Sequence, residues 1–150
     1  MGSVLTQGRP ALLAALRADP EIRARVRTCV EFGPGLRRRF AVVPALCPAL
    51  SVAQAGTAER RIANVECEIA QTLHVGILTA GQDAAPCEEL AALVVDCVHA
   101  CSADRLGLAA EGLTAVRVRA VRCKPLPDEH GPRMLWSADV EVELLWRRIP

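Results

Sequence analysis

The last third of the chain has the clearest alternation of apolar and polar residues. Between residues 136 and 146 the two kinds occupy alternate positions. The apolar positions are Trp136, Ala138, Val140, Val142, Leu144 and Trp146, and the polar positions are Ser137, Asp139, Glu141 and Glu143. Because successive side chains of a strand point to opposite faces of a sheet, this pattern predicts a strand with one apolar and one acidic face.

A second alternating segment, residues 116–123, precedes this strand and predicts the outgoing arm of a hairpin. Its basic face carries Arg117 and Arg119, and its apolar face carries Val116, Val118 and Ala120. Opposite charges that face each other across an antiparallel ladder contribute ~0.2–1 kcal/mol per pair, so the arginines favour this pairing. We therefore expect a long hairpin over residues 113–146, with a proline-rich tip at residues 125–132.

Three further segments predict the rest of the sheet. Residues 62–78 alternate over their whole length and predict a half-buried strand, with a bend at Gln71 and with His74 on its polar face as a cross-strand or solvated residue. Residues 28–32 predict a short strand. Residues 40–52 contain two prolines, which central strands exclude, so they predict an edge segment or an irregular crossing strand that is best formed at residues 49–53. Residues 54–61 predict an exposed turn.

Helical spacing of apolar residues appears in two parts of the chain. Residues 11–18 predict a short N-terminal helix, and Asp19 follows as the cap of a second short helix. Residues 87–105 predict the main helix, with apolar residues at three- and four-residue spacing. Together these elements predict one α+β domain over residues 1–150. It has an antiparallel β-sheet with a long C-terminal hairpin, one main helix packed on one face and a short N-terminal helix.

Composition narrows the classes of function. The chain is 51% hydrophobic and 23% charged, which is typical of a globular domain. A net charge of +1 argues against a general nucleic-acid binder, and the absence of tyrosine removes aromatic surfaces on which bases stack. The sequence has neither a signal-peptide pattern nor an apolar run of membrane-spanning length, so we expect a cytosolic protein with no membrane partner.

The seven cysteines are scattered, and we expect them to be small buried side chains rather than disulfide partners. Cys97, His99 and Cys101 invite a zinc interpretation. On a helix, however, His99 points away from the two cysteines, and a second pair of ligands with suitable spacing is missing. We therefore expect no metal and no cofactor.

Catalytic motifs are also missing from the sequence. The segment from Gly33 to Gly35 lacks the lysine and hydroxyl residue of a phosphate-binding loop. Asp128, Glu129 and His130 cluster in the proline-rich tip without a nucleophile nearby. We expect no catalytic residues, and a small metal- or ligand-binding α+β enzyme domain remains the alternative from another functional class.

Four stretches of the chain resemble the tail terminator proteins of tailed bacteriophages. They are the leucine- and alanine-rich helix at residues 11–16, the proline-marked segment at residues 47–52, the strand and helix at residues 65–77 and 88–101, and the strand with tryptophan at both ends at residues 136–146. The resemblance covers residues 10–146 and lies in the order of the elements.

This resemblance implies a structural virion protein that forms a ring, commonly of six subunits, at the head-proximal end of the tail. Such a ring caps the tail tube and joins the tail to the head or neck. The implied partners are other copies of the chain, the tail tube protein and the neck or head connector, with the tail sheath as a further candidate. DNA passes through the lumen without specific binding, and assembly takes place in the host cytoplasm. A neck or head-completion connector protein is the related alternative.

A closed ring is built from head-to-tail contacts, so each subunit needs two different and complementary patches. Charged residues in predicted loops and at the chain end are the candidates for these interfaces. They are Arg37, Arg38, Arg39, Arg60, Arg61, Asp128, Glu129, His130, Arg147 and Arg148.

Overall fold

The computed structural model of the protein describes residues 4–31, 47–61, 67–127 and 134–148. Its helices are Gly8–Ala18 (α1), Pro20–Arg25 (α2) and Ala85–Ala100 (α3). Its strands are Thr28–Glu31 (β1), Ala49–Arg61 (β2), Cys67–Ala80 (β3), Leu113–Pro127 (β4) and Met134–Arg148 (β5). Short 3₁₀ turns are formed by Val4–Thr6 and Ala109–Glu111. Among the described residues, no helix is long and apolar enough to cross a membrane.

The five strands form one sheet in the order β1-β2-β3-β5-β4. Strands β4 and β5 pair as the predicted hairpin, and β5 also pairs antiparallel with β3, so the strand with two tryptophans lies inside the sheet. Strand β1 joins β2 in parallel, and the other three pairings are antiparallel. The predicted α+β fold with a long C-terminal hairpin is confirmed.

The helices cover one face of this sheet. Helix α3 packs on β3, β4 and β5, while α1 packs on β1 and β2. The apolar positions of β5 from Ala138 to Trp146 are buried under them, as their alternation predicts. Each fully buried large side chain adds roughly 1.5–3 kcal/mol of hydrophobic stabilisation, which explains why the sheet and helices hold together as one unit.

The N-terminal region follows the prediction closely. Asp19 Oδ1 accepts hydrogen bonds from the backbone N–H groups of Glu21 and Ile22, at 3.0 and 3.2 Å, and so caps α2. Helix α1 begins at Gly8 rather than at residue 11, and Gly8 is buried. Before the helix, Leu5 packs against the core.

Strand β2 differs most from its prediction. The exposed turn predicted at residues 54–61 is wrong, because these residues continue β2 and pair with β3 after a register shift between Gln54 and Gly56. Strand β2 is also not an edge strand, since β1 pairs with its other side. Pro48 precedes the first paired residue, so it removes no ladder hydrogen bond. At Gln71, where a bend was predicted, the pairing of β3 with β5 continues without a register shift.

The hairpin is longer than predicted. Strand β4 continues through Pro125 and Pro127, which pair with Trp136 and Met134, so the strands include residues that were predicted to belong to the tip. Proline is tolerated there because β4 is an edge strand. A bulge between Val118 and Ala120 shifts the later residues by one position. Ala120 therefore lies opposite Glu141 on the charged face, and its predicted place on the apolar face is wrong.

Candidate interaction surface

The face of the sheet opposite the helices carries a group of paired charged side chains. Directly paired residues on neighbouring strands point to the same face, so rows of side chains run across this face from β3 through β5 to β4. One row pairs Thr72 with Glu143, and Glu143 with Arg117. The next pairs His74 with Glu141. We call this the charged face.

Glu143 is the most buried charged residue of this face, at 7% exposure. Its Oε1 accepts a hydrogen bond from Arg117 Nε at 2.7 Å, and its Oε2 accepts one from Arg119 Nη1 at 3.0 Å. The bulge in β4 makes this possible, because Arg119 is the extra residue and reaches the same carboxylate as its neighbour. The sequence predicted arginines facing the acidic arm, and the structure concentrates both on one acid.

His74 contacts Asp139 on the neighbouring strand, with Nδ1 2.6 Å from Oδ2. Both side chains are about one-third exposed, at 33% and 34%. His74 is therefore a cross-strand residue of the charged face, as predicted, rather than part of a closed site.

Four of the candidate interface residues come together at one end of the sheet. Arg60 and Arg147 are the register partners of Glu68 on either side of β3, and Arg61 and Arg148 are likewise the partners of Cys67. Strands β2 and β5 flank β3, so the backbones of Arg60 and Arg147, like those of Arg61 and Arg148, are about 10 Å apart. Arg147 is exposed. We call these four arginines the arginine end.

The remaining candidates lie outside the described residues. These are Arg37, Arg38, Arg39, Asp128, Glu129 and His130. The strand ends next to the last three, Pro127 and Met134, pair with each other at the end of the hairpin opposite Arg148.

The possible zinc ligands do not converge. Cys97 is buried on α3 and Cys101 is buried directly after its last residue, while His99 is exposed. The neighbouring Cys97 thiol lowers the pKa of Cys101 to about 7, with burial opposing and Arg105 assisting this shift. The Cys101 thiol, together with burial, raises the pKa of Cys97. Within the described ranges, no three histidine, cysteine or acidic residues are grouped as metal ligands.

A shallow groove between α2, β2 and α3 also lacks a catalytic arrangement. Pro48, Pro86 and Leu90 give it mainly apolar walls. Arg25 is the ionisable side chain of its lining, and it pairs with Glu89 at 3.0 Å. Titratable groups therefore do not converge on a reactive centre in this groove.

The contact between Cys87 and Cys123 was not predicted from the sequence. Cys123 Sγ, on β4, lies 3.6 Å from Cys87 Sγ at the start of α3. The two cysteines are 36 positions apart, and the sequence contains no local signal that would join them.

No family model matches the chain, and no curated protein matches it. Among solved structures, the chain is similar to a component of the virion of a native gene transfer agent particle. The TM-score is 0.65 at 17% sequence identity, and the alignment covers 99% of this chain and 100% of that component. The chain therefore has, over essentially its whole length, the fold of a protein found in a gene transfer agent virion.

Proposed function

We propose that this protein is a structural component of a phage-like virion and works by packing between neighbouring subunits rather than by catalysis. The observation that carries the proposal is the fold likeness to a chain of the gene transfer agent virion. Both chains are covered almost completely, so the shared unit is the whole chain and not a common fragment. At 17% identity the likeness concerns the fold. The proposed role in the virion combines this likeness with the resemblance of the sequence to tail terminators.

Within the particle, we assign the chain to a ring, commonly of six copies, at the head-proximal end of the tail. Its neighbours there are other copies of the chain, the tail tube protein and the neck or head connector, with the tail sheath as a possible further partner. DNA passes through the lumen of the ring. A net charge of +1 suits this passage, because a strongly basic ring would retain the DNA.

The distribution of charge supports a ring built from head-to-tail contacts. The arginine end lies where β5 finishes. The exposed acid Glu88 belongs to the first turn of α3, next to Glu89, whose carboxylate pairs with Arg25. This part of α3 lies near the opposite end of the sheet, because Trp136 at the start of β5 donates to the Gln82 carbonyl oxygen just before the helix, at 3.2 Å. Opposite charges at opposite ends give each subunit the two different patches that such a contact needs.

The oligomeric state and the capping of tubes test this proposal together. Light scattering and negative-stain imaging of the purified protein, alone and mixed with isolated tail tubes, should reveal closed rings that bind one end of each tube. Arg147→Glu should weaken ring formation, because it reverses a charge in the arginine end. Arg23→Glu, at an exposed position of α2, is the matched control and should leave the rings intact.

A protein that stays monomeric at high concentration and also leaves the tubes uncapped would contradict the tail-terminator assignment. Rings that bind a head connector but no tube would instead support the neck or head-completion alternative.

A further inference from the structure

We propose that Cys87 and Cys123 are a modification site: they form a disulfide that fastens the edge of the hairpin to the main helix when the protein meets an oxidising small-molecule disulfide. The two sulfur atoms are 3.6 Å apart, and both cysteines are free. A disulfide has a sulfur–sulfur distance of about 2.05 Å, so bond formation requires an approach of roughly 1.5 Å.

The supporting elements allow this approach. Cys123 is exposed on β4, which is the edge strand and is paired on one side by β5. Cys87 is fully buried at the start of α3, which packs on β4 and β5. The exposed thiol is therefore accessible to an external reagent, and the buried thiol faces it from the helix.

A buried hydroxyl group completes the site. Thr79 Oγ1 is buried at 3% residue exposure and has no ordinary hydrogen bond among the described residues. Burial and the Cys123 thiol raise the pKa of the Cys87 thiol to about 12, and the nearby Thr79 hydroxyl acts in the opposite direction. A hydroxyl without another partner can donate to the Cys87 thiolate when it forms, which gives this otherwise unsatisfied buried group a role.

The chemistry balances with two exchange steps. The Cys123 thiolate attacks one sulfur of oxidised glutathione, forms a mixed disulfide and releases one glutathione thiolate. The Cys87 thiolate then attacks the Cys123 sulfur and releases the second glutathione. Two electrons pass from the protein sulfurs to glutathione, and the two thiol protons end on the two released glutathione molecules.

The consequence is a covalent link between two elements that pack together. A link between residues 36 positions apart restricts the unfolded chain strongly, so it stabilises the folded protein. The biological setting rests on the proposed function, since a virion component is made in a reducing cytoplasm and then leaves the cell with its particle. The disulfide would then form after the particle has left the reducing cytoplasm.

The test uses the purified full-length chain and oxidised glutathione, without any particle. Peptide mapping by mass spectrometry should find Cys87 joined to Cys123, and the melting temperature should rise by several degrees. Cys123→Ser should abolish both effects. Cys29→Ser, at a partly buried cysteine of β1, is the matched control and should retain them.

A lasting mixed disulfide on Cys123 with Cys87 unlinked would overturn the proposal. A link between another pair, such as Cys97 and Cys101, or no reaction at all, would do the same. The result is independent of ring formation, so failure here leaves the proposed structural role to its own test.

Discussion

The indole nitrogen of Trp146 donates a hydrogen bond to Gln71 Oε1 at 3.1 Å, inside an otherwise apolar core. Both side chains are fully buried. Gln71 Nε2 in turn donates to the carbonyl oxygen of Leu5 at 2.7 Å and to Gln54 Oε1 at 3.3 Å. One amide group thus connects the end of the hairpin, the centre of the sheet and the N-terminal segment.

Replacing Gln71 by leucine should destabilise the protein, although leucine has a similar size and is apolar. The substitution leaves the buried indole N–H without this acceptor, at a cost of ~1–3 kcal/mol, and removes the hydrogen bond to Leu5, at a cost of about 1 kcal/mol. We expect the free energy of unfolding to fall by about 2–4 kcal/mol in urea denaturation. Thr57→Ala, at the exposed register partner on β2, is the control and should change it little. An unchanged stability of Gln71→Leu would show that the hydrogen bonds contribute nothing net.

Gly8→Ala should also destabilise, although alanine is the better helix former. A Cβ atom at Gly8 would lie 2.5 Å from Leu144 Cδ1 and 2.8 Å from Gln71 Oε1. Crowding of this kind in a packed core costs ~1–3 kcal/mol, which exceeds the gain in helix propensity. Thermal unfolding should show a lower melting temperature. Gly56→Ala has open space around the new Cβ and should stay within about 0.5 kcal/mol of the original protein.

Glu143→Gln should weaken the hairpin. The change removes the charge that Arg117 and Arg119 share while it keeps the size of the side chain. Because the carboxylate is buried and the arginines are about half exposed, at 54% and 52%, we expect a loss of about 1–2 kcal/mol. Glu141→Gln, one row away on the same strand face, should cost less. Equal losses for the two variants would refute the special role of Glu143.

The Cys101 thiol should raise the stability of the protein between pH 7 and pH 8, below the range near pH 9 in which the thiols with raised pKa values, among them Cys87 and Cys97, oppose it. In the folded protein the pKa of the Cys101 thiol is about 7, so this thiol loses its proton in this range. In the unfolded chain the same thiol has its ordinary pKa of 9.0 and still holds the proton. The unfolded state therefore binds more protons, and the free energy of unfolding increases with pH. Urea denaturation at several pH values measures this slope. In Cys101→Ser the unfolding free energy should change less with pH. If the variant has the same pH dependence as the original protein, another group is responsible for it.

The sequence predicted the elements whose periodicity is long and one-sided. The alternation around Val140 and the helical spacing around Leu90 each report a single buried face, so they predicted β5 and α3 correctly. Strand β2 was recognised only in its first part. Beyond Gln54 its residues are small, polar or charged, and pairing with β3 rather than burial holds them in a strand.

The candidate surface was predictable in composition but not in arrangement. The acidic arm and its facing arginines follow from alternation, whereas the convergence of Arg117 and Arg119 on Glu143 depends on a bulge that the sequence does not mark. The arginine end likewise requires the register that places Arg60 and Arg147 on either side of Glu68. Contacts between distant segments, such as that of Cys87 with Cys123, arise from topology alone.

Cryo-electron microscopy of the particle that incorporates this protein tests the central claim most directly. The account predicts density for this fold, repeated as a closed ring between the tail tube and the head connector. Absence of the protein from the purified particle, or its presence as a dispersed monomer away from any subunit interface, would contradict the structural role.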